Sequence, residues 1–149
     1  MLTKRFLTAL IFMMFSASAF AQLEPYKDYD MSDALWNITM VKVDANMGDD
    51  YLEGLRDSWV AANKVAVDLG QIESFKIFRS QLPESGDANL ILVVKYANSD
   101  SMDPDRAEYD KFMKAWGDAN RDKTREITKN YPSMRKITGE YLVREITIK

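Results

Sequence analysis

Apolar and polar positions alternate in two different periods along this chain, and the switches between them mark the elements. Residues 35–44 (LWNITMVKVD) are rich in β-branched and aromatic side chains and read as a strand. Ala45-Asn46-Met47-Gly48 comes next as a turn, with Asp49 or Asp50 placed to cap a helix and Asp50 and Glu53 at capping-box spacing. Leu52, Leu55, Trp59, Ala62, Ala66 and Leu69 then recur at steps of three and four, which is one face of a helix over about residues 50–69. Gly70 is its expected stop. Residues 72–82 (IESFKIFRSQL) alternate like a half-covered strand, and residues 83–87 (PESGD) are a loop. Residues 90–97 (LILVVKYA) are apolar at both parities, as in a strand covered on both faces.

Asp103-Pro104 opens a second helix, with Asp as cap and Pro at the first position. The pattern carries it to about residue 129 along Tyr109, Phe112, Met113, Trp116, Asn120, Thr124 and Ile127. Tyr131-Pro132 ends it, and residues 139–148 (GEYLVREITI) form the last strand.

The order is β-α-β-β-α-β. Right-handed crossovers turn it into a ferredoxin-like α+β fold: a four-stranded antiparallel sheet with two helices on one face. The strands lie in the spatial order 4-1-3-2. Leu92, Val93 and Val94 alternate in direction, so helices on one face cannot cover all three. A second copy of the chain is the economical cover, which predicts a homodimer.

Composition narrows the chemistry. The chain has no His and no Cys. The commonest general base, any Ser-His triad, thiol nucleophiles and thiolate metal sites are therefore absent. No cofactor and no metal is expected. A net charge of −3 with no basic block argues against nucleic acid or anionic lipid as a partner.

The first 21 residues carry an address. Lys4 and Arg5 precede an apolar run over residues 6–15, and Ala19-Phe20-Ala21 is a small-x-small cleavage site. This predicts a signal peptide over 1–21, an N-terminal arm over 22–34 and one domain over 35–149. The product is periplasmic or secreted. The apolar run is too short to span a bilayer, so no membrane association is expected after cleavage.

The WNITMVKVD strand, the helix on Leu52 to Leu69, the LILVVKYA strand and the Trp116 helix together resemble the dimeric α/β-barrel superfamily of ferredoxin-like domains. The likeness extends to antibiotic-biosynthesis-monooxygenase-like members. That superfamily includes cofactor-independent monooxygenases, haem-degrading monooxygenases and isomerases. The resemblance implies that Asn37 on the first strand and Trp116 on the second helix line a substrate cavity. The His that ligates haem iron in haem-degrading members has no counterpart here.

Spacing offers further candidates. Trp116, Asn120 and Thr124 share a helix face at steps of four, and that face turns from apolar to polar. A few placed polar groups beside an apolar surface is how small-molecule pockets are built. The same stripe also fits a helix end lying in water. Tyr96, on the third strand, is a further ligand-binding candidate. Asp44 to Asp50 resembles the start of a calcium loop but has Leu55 in place of the bidentate Glu, so turn plus cap is the better account.

Two functions remain. One is a noncatalytic exported module that dimerises and binds a small molecule or partner. The other is a cofactor-independent oxygenase- or isomerase-type enzyme acting on a small aromatic or polyketide-like substrate.

Overall fold

The computed structural model describes residues 22–82 and 86–149. The expected leader, 1–21, lies outside them, as do residues 83–85 of the expected loop. Among the described residues there are six strands: β1 (Tyr29–Met31), β2 (Leu35–Val43), β3 (Ser74–Arg79), β4 (Leu90–Tyr96), β5 (Arg135–Val143) and β6 (Ile146–Ile148). The helices are α1 (Gly48–Leu55), α2 (Ala61–Asp68), α3 (Arg106–Trp116) and α4 (Asp118–Thr128).

The main sheet runs β3-β4-β2-β5, with every neighbouring pair antiparallel. Counted along the domain this is the 4-1-3-2 order read from the sequence, so the chain has the ferredoxin-like α+β fold. The two strands richest in apolar residues, β2 and β4, are central. Leu35, Asn37, Thr39, Val41 and Val43 share one face of β2 by alternation. Val41 and Val43 there join Leu90, Leu92, Tyr51, Leu55 and Tyr131 in one buried cluster. That face carries the helices. Trp36, Ile38 and Met40 point the other way.

The β2–β5 ladder slips between Met40 and Val41: Met40 pairs with Gly139, but Val41 pairs with Ile137. Thr138 is the extra residue of a β-bulge, and its hydroxyl donates to the Met40 carbonyl at 3.3 Å. The bulge shifts the phase of β5. Arg135 and Ile137 before it, and Glu140 after it, all end up opposite helix-facing residues of β2.

The structure corrects several expectations. The last strand begins at Arg135, not Gly139, and ends at Val143. Its polar first residues, Arg135 and Lys136, hid the start. Residues 146–148 leave the sheet and pair with β1, which ties the N-terminal arm to the C-terminus. Arg144 fixes that exit by donating to the carbonyls of Ser32 and Asp33 at 3.0 and 2.6 Å.

The first helix starts on Met47 with no side-chain cap; Asp49 and Asp50 lie in the first turn, where acids suit the helix dipole. It widens to a π turn at Arg56–Val60 before α2 resumes. Gly70 ends it as expected: its N–H reaches the Val67 carbonyl, and that of Gln71 reaches the Ala66 carbonyl.

The second helix is capped by Asp105, whose side chain accepts from the Glu108 N–H at 2.9 Å, so Asp103-Pro104 lies before the cap. It is also not continuous. Gly117 sits at φ 75°, ψ 159°, a region in effect reserved for glycine, and divides α3 from α4.

α4 has no buried residue of its own and is held through the turn at its C-terminal end and by the residues opposite it. Tyr131, in the 3₁₀ turn Tyr131–Ser133, is 6% exposed. It packs edge-on against Tyr51 with ring centroids 4.9 Å apart. Gly54 makes room: a Cβ there would stand 3.0 Å from the Tyr131 ring and 3.1 Å from Ile127. On the surface, Lys123 of α4 pairs with Asp57 of the π turn at 3.0 Å. Arg56 first, and Lys123 second, hold the Asp57 carboxyl down to about 2.

Gly117→Ala forces a side chain into this backbone region and should cost about 1–3 kcal/mol. Urea denaturation checks it. An unchanged midpoint would show that α3 and α4 can straighten into one helix at no cost.

Candidate functional site

A cleft of about 490 Å³ opens between the α1–π-turn segment, α4 and the helix-covered face of the sheet. Its apolar wall includes Leu92, Trp59 and Ile137; its polar groups include Thr39, Thr124 and Arg135. Trp59 is half-buried and stands edge-on to Phe75, with centroids 5.4 Å apart.

The floor is a hydroxyl chain. The Ser58 hydroxyl donates to the Gly54 carbonyl at 2.8 Å. Ser58 and Tyr131 oxygens lie 2.7 Å apart. The Ser58 proton is spent on Gly54, so Tyr131 is the donor to Ser58. Burial pushes the Tyr131 phenol up from its ordinary value, with Ser58 partly opposing. Burial likewise raises Tyr51, and a hydrogen bond from Arg135 partly offsets this. Both phenols are therefore held protonated, as hydrogen-bond donors rather than bases.

Two atoms here lack partners. Thr124 Oγ1 and Arg135 Nε are buried and make no hydrogen bond. The Arg135 guanidinium lies 5.6 Å from the Tyr131 ring centre, a cation–π contact. A buried polar atom with no partner costs about 1–3 kcal/mol. Both residues line the cleft.

The five residues proposed from sequence do not converge. Thr124 alone of them lines this cleft. Asn37 lies on the same face of β2 as Thr39, two residues along. Trp116 is buried and stacks on Phe112 at 6.2 Å. Asn120 is exposed, and its amide donates to the Trp116 carbonyl at 2.7 Å, which caps the end of α3. Tyr96 lines a different cleft of about 460 Å³ with Gln71, Glu108 and Phe112. The shared-face spacing of Trp116, Asn120 and Thr124 assumes one helix, and Gly117 breaks it between the first and second.

The sequence reading missed Ser58, Tyr131 and Arg135. Tyr51, Leu55, Ser58 and Ala62 recur at steps of four, three and four, so a stripe that admitted hydroxyl residues would have found Ser58. A third cleft, about 550 Å³, is polar and includes Asp44, Asn46 and Asp49 of the calcium-like turn. Asn89 pins that turn by exchanging two 2.8 Å hydrogen bonds with the Val43 backbone. Among the described residues, no group of three or more carboxylates is placed to hold a metal ion. Among them, too, no helix is long and apolar enough to cross a membrane.

No family model matches the chain, and no curated protein matches its sequence. Solved structures do resemble it. HapK from Hahella chejuensis is similar at 16% identity and TM-score 0.45, over 74% of this chain and 91% of that one. A dimeric ferredoxin-like protein of unknown function from Bacteroides fragilis is similar at 11% identity and TM-score 0.41, over 80% and 100%. SnoaB, a cofactor-independent oxygenase from Streptomyces nogalater, is similar at 4% identity and TM-score 0.38, over 79% and 94%.

Two substitutions should separate paired from unpaired hydroxyls. Ser58→Ala orphans the Tyr131 phenol and should cost about 1–3 kcal/mol. Thr124→Val removes an unmet group at nearly constant volume and should leave stability unchanged or raise it by about 1 kcal/mol. Thermal melts of both variants check this. A comparable loss in Thr124→Val would show that its hydroxyl is satisfied in solution.

Proposed function

We propose that this chain is an exported, homodimeric binding module whose cleft beneath α4 takes a small molecule. The cleft carries the reading: an apolar wall, a few placed polar groups, and two of those groups unmet by the protein. Both neighbouring phenols are held protonated, so neither is placed to act as a base. The second reading is a cofactor-independent oxygenase or isomerase for a small aromatic or polyketide-like substrate. Trp59, Tyr51 and Tyr131 around the cleft favour it, since they suit an aromatic guest.

The homodimer is supported by the uncovered face of the sheet. Trp36, Ile38 and Met40 on β2 share it by alternation with Ile91 and Val93 on β4 and Phe78 on β3. Tyr141 and Val143, opposite Ile38 and Trp36, extend it onto β5. Phe78 is 51% and Tyr141 54% exposed. An apolar patch of this extent marks an interface. Export is supported by the basic, apolar and small-x-small order of residues 1–21.

Titrating a small aromatic such as 2-naphthol should perturb tryptophan fluorescence and return the ligand unchanged. Oxygen uptake with conversion of the ligand would favour the enzyme instead. No perturbation across a panel of small aromatics would remove both readings. Light scattering should give twice the monomer mass, and Ile38→Asp should give monomers, because a charge there would be buried unpaired. A monomeric unmutated protein would contradict the sheet-to-sheet pairing. N-terminal sequencing of the periplasmic or medium fraction should begin at Gln22; an intact Met1 in the cytosol would contradict export.

A further inference from the structure

We propose that the cleft selects an amphipathic carboxylate, with the apolar body of the ligand against Trp59 and Leu92 and its carboxylate on Arg135 and Thr124. This rests on the reading of the cleft as a small-molecule site and adds the chemical class of its guest.

Arg135 is the arginine that lines the cleft, and it stands apart from a carboxylate. Arg56, Arg79, Arg106 and Arg121 each have a carboxylate within 4 Å. Among the described residues, no carboxylate lies that close to the Arg135 guanidinium. It lies instead over the face of Tyr131. The Nε–H is buried and unpartnered. A guanidinium receives a carboxylate in its own plane, and one of its paired edges joins Nε–H to a terminal N–H. Thr124, across the cleft on α4, adds a second unmet group, a hydroxyl that can donate to an anion.

The rest of the lining sets the body of the ligand. Val41, Leu55, Leu92, Trp59 and Ile137 give the wall its apolar part. An inorganic anion would leave that wall unused, and a hydrocarbon would leave Arg135 unmet. A carboxylate joined to an aromatic or aliphatic body satisfies both. Glu140 also lines the cleft, but it is exposed, so water screens its charge from a buried anion.

The test compares 2-naphthoate with 2-naphthamide, which share a shape and differ in charge at neutral pH. Calorimetry on the mature protein should show naphthoate binding at least about tenfold tighter. Arg135→Met should abolish that preference and leave naphthamide binding unchanged. Arg135→Lys, which keeps the charge but loses the planar fork, should retain only part of it. Thr124→Val should weaken naphthoate about threefold or more without affecting naphthamide. If Arg135→Met fails to fold, the Lys and Val variants carry the comparison. Equal affinity for the two compounds, or a preference that survives loss of the Arg135 fork, would overturn the carboxylate while leaving the small-molecule reading intact. Binding of neither compound would overturn both.

Discussion

The helical layer of this domain depends on how closely Tyr131 can approach Gly54. That contact sets where α4 lies over the cleft. The 3₁₀ turn after α4 drives Tyr131 between the sheet and α1, where it meets Tyr51 and donates its hydroxyl proton in a hydrogen bond to Ser58. The ring fits because residue 54 has no side chain. α4 is thereby anchored at its C-terminal end, although its own sequence is too polar to bury a face. Anchored in this way, it spans the sheet without filling the space beneath it.

That mode of attachment explains why the cleft lies where it does. A second helix with a full apolar stripe would have packed flat on β2 and β5 and closed the gap. Here the stripe stops at Trp116, and Gly117 turns the chain before α4 begins. Of the residues α4 offers the sheet, Ile127 packs against the core, while Thr124 and Thr128 are small and half-polar. The bulge at Thr138 then brings both Arg135 and Glu140 to the covered face of β5. A polar-edged space within an otherwise apolar layer is the outcome.

Much of this was legible in the chain, and the failures share a cause. Strand order, the central position of the LILVVKYA segment and the stop at Gly70 derive from hydrophobic period and glycine, which act locally. The break at Gly117 was hidden because its neighbours keep helical spacing on both sides, so periodicity alone reads through it. Tyr131 was read only as a helix end, since a residue beside Pro looks like a turn, and nothing local says that the turn points inward. Ser58 was passed over because an apolar stripe discounts hydroxyls, although a hydroxyl that bonds its own helix backbone is at home in a core. Arg135 fell between the expected helix end at Tyr131-Pro132 and the strand expected from Gly139, and belonged to neither. Of the five candidate residues, Thr124 fell in the cleft and Asn37 beside it, while the break in the helix sent Asn120 to solvent.

The central claim is that unfilled space lies between α4 and the sheet, next to Ala62. Differential scanning calorimetry of Ala62→Leu in the purified, unliganded protein tests it most directly. If the space is open, the larger side chain enters it and stability rises by about 0.5–2 kcal/mol, as cavity-filling substitutions do. If that region is already packed, the added carbons must displace neighbours, and stability falls by about 1–3 kcal/mol. The account predicts the rise; the fall would contradict it.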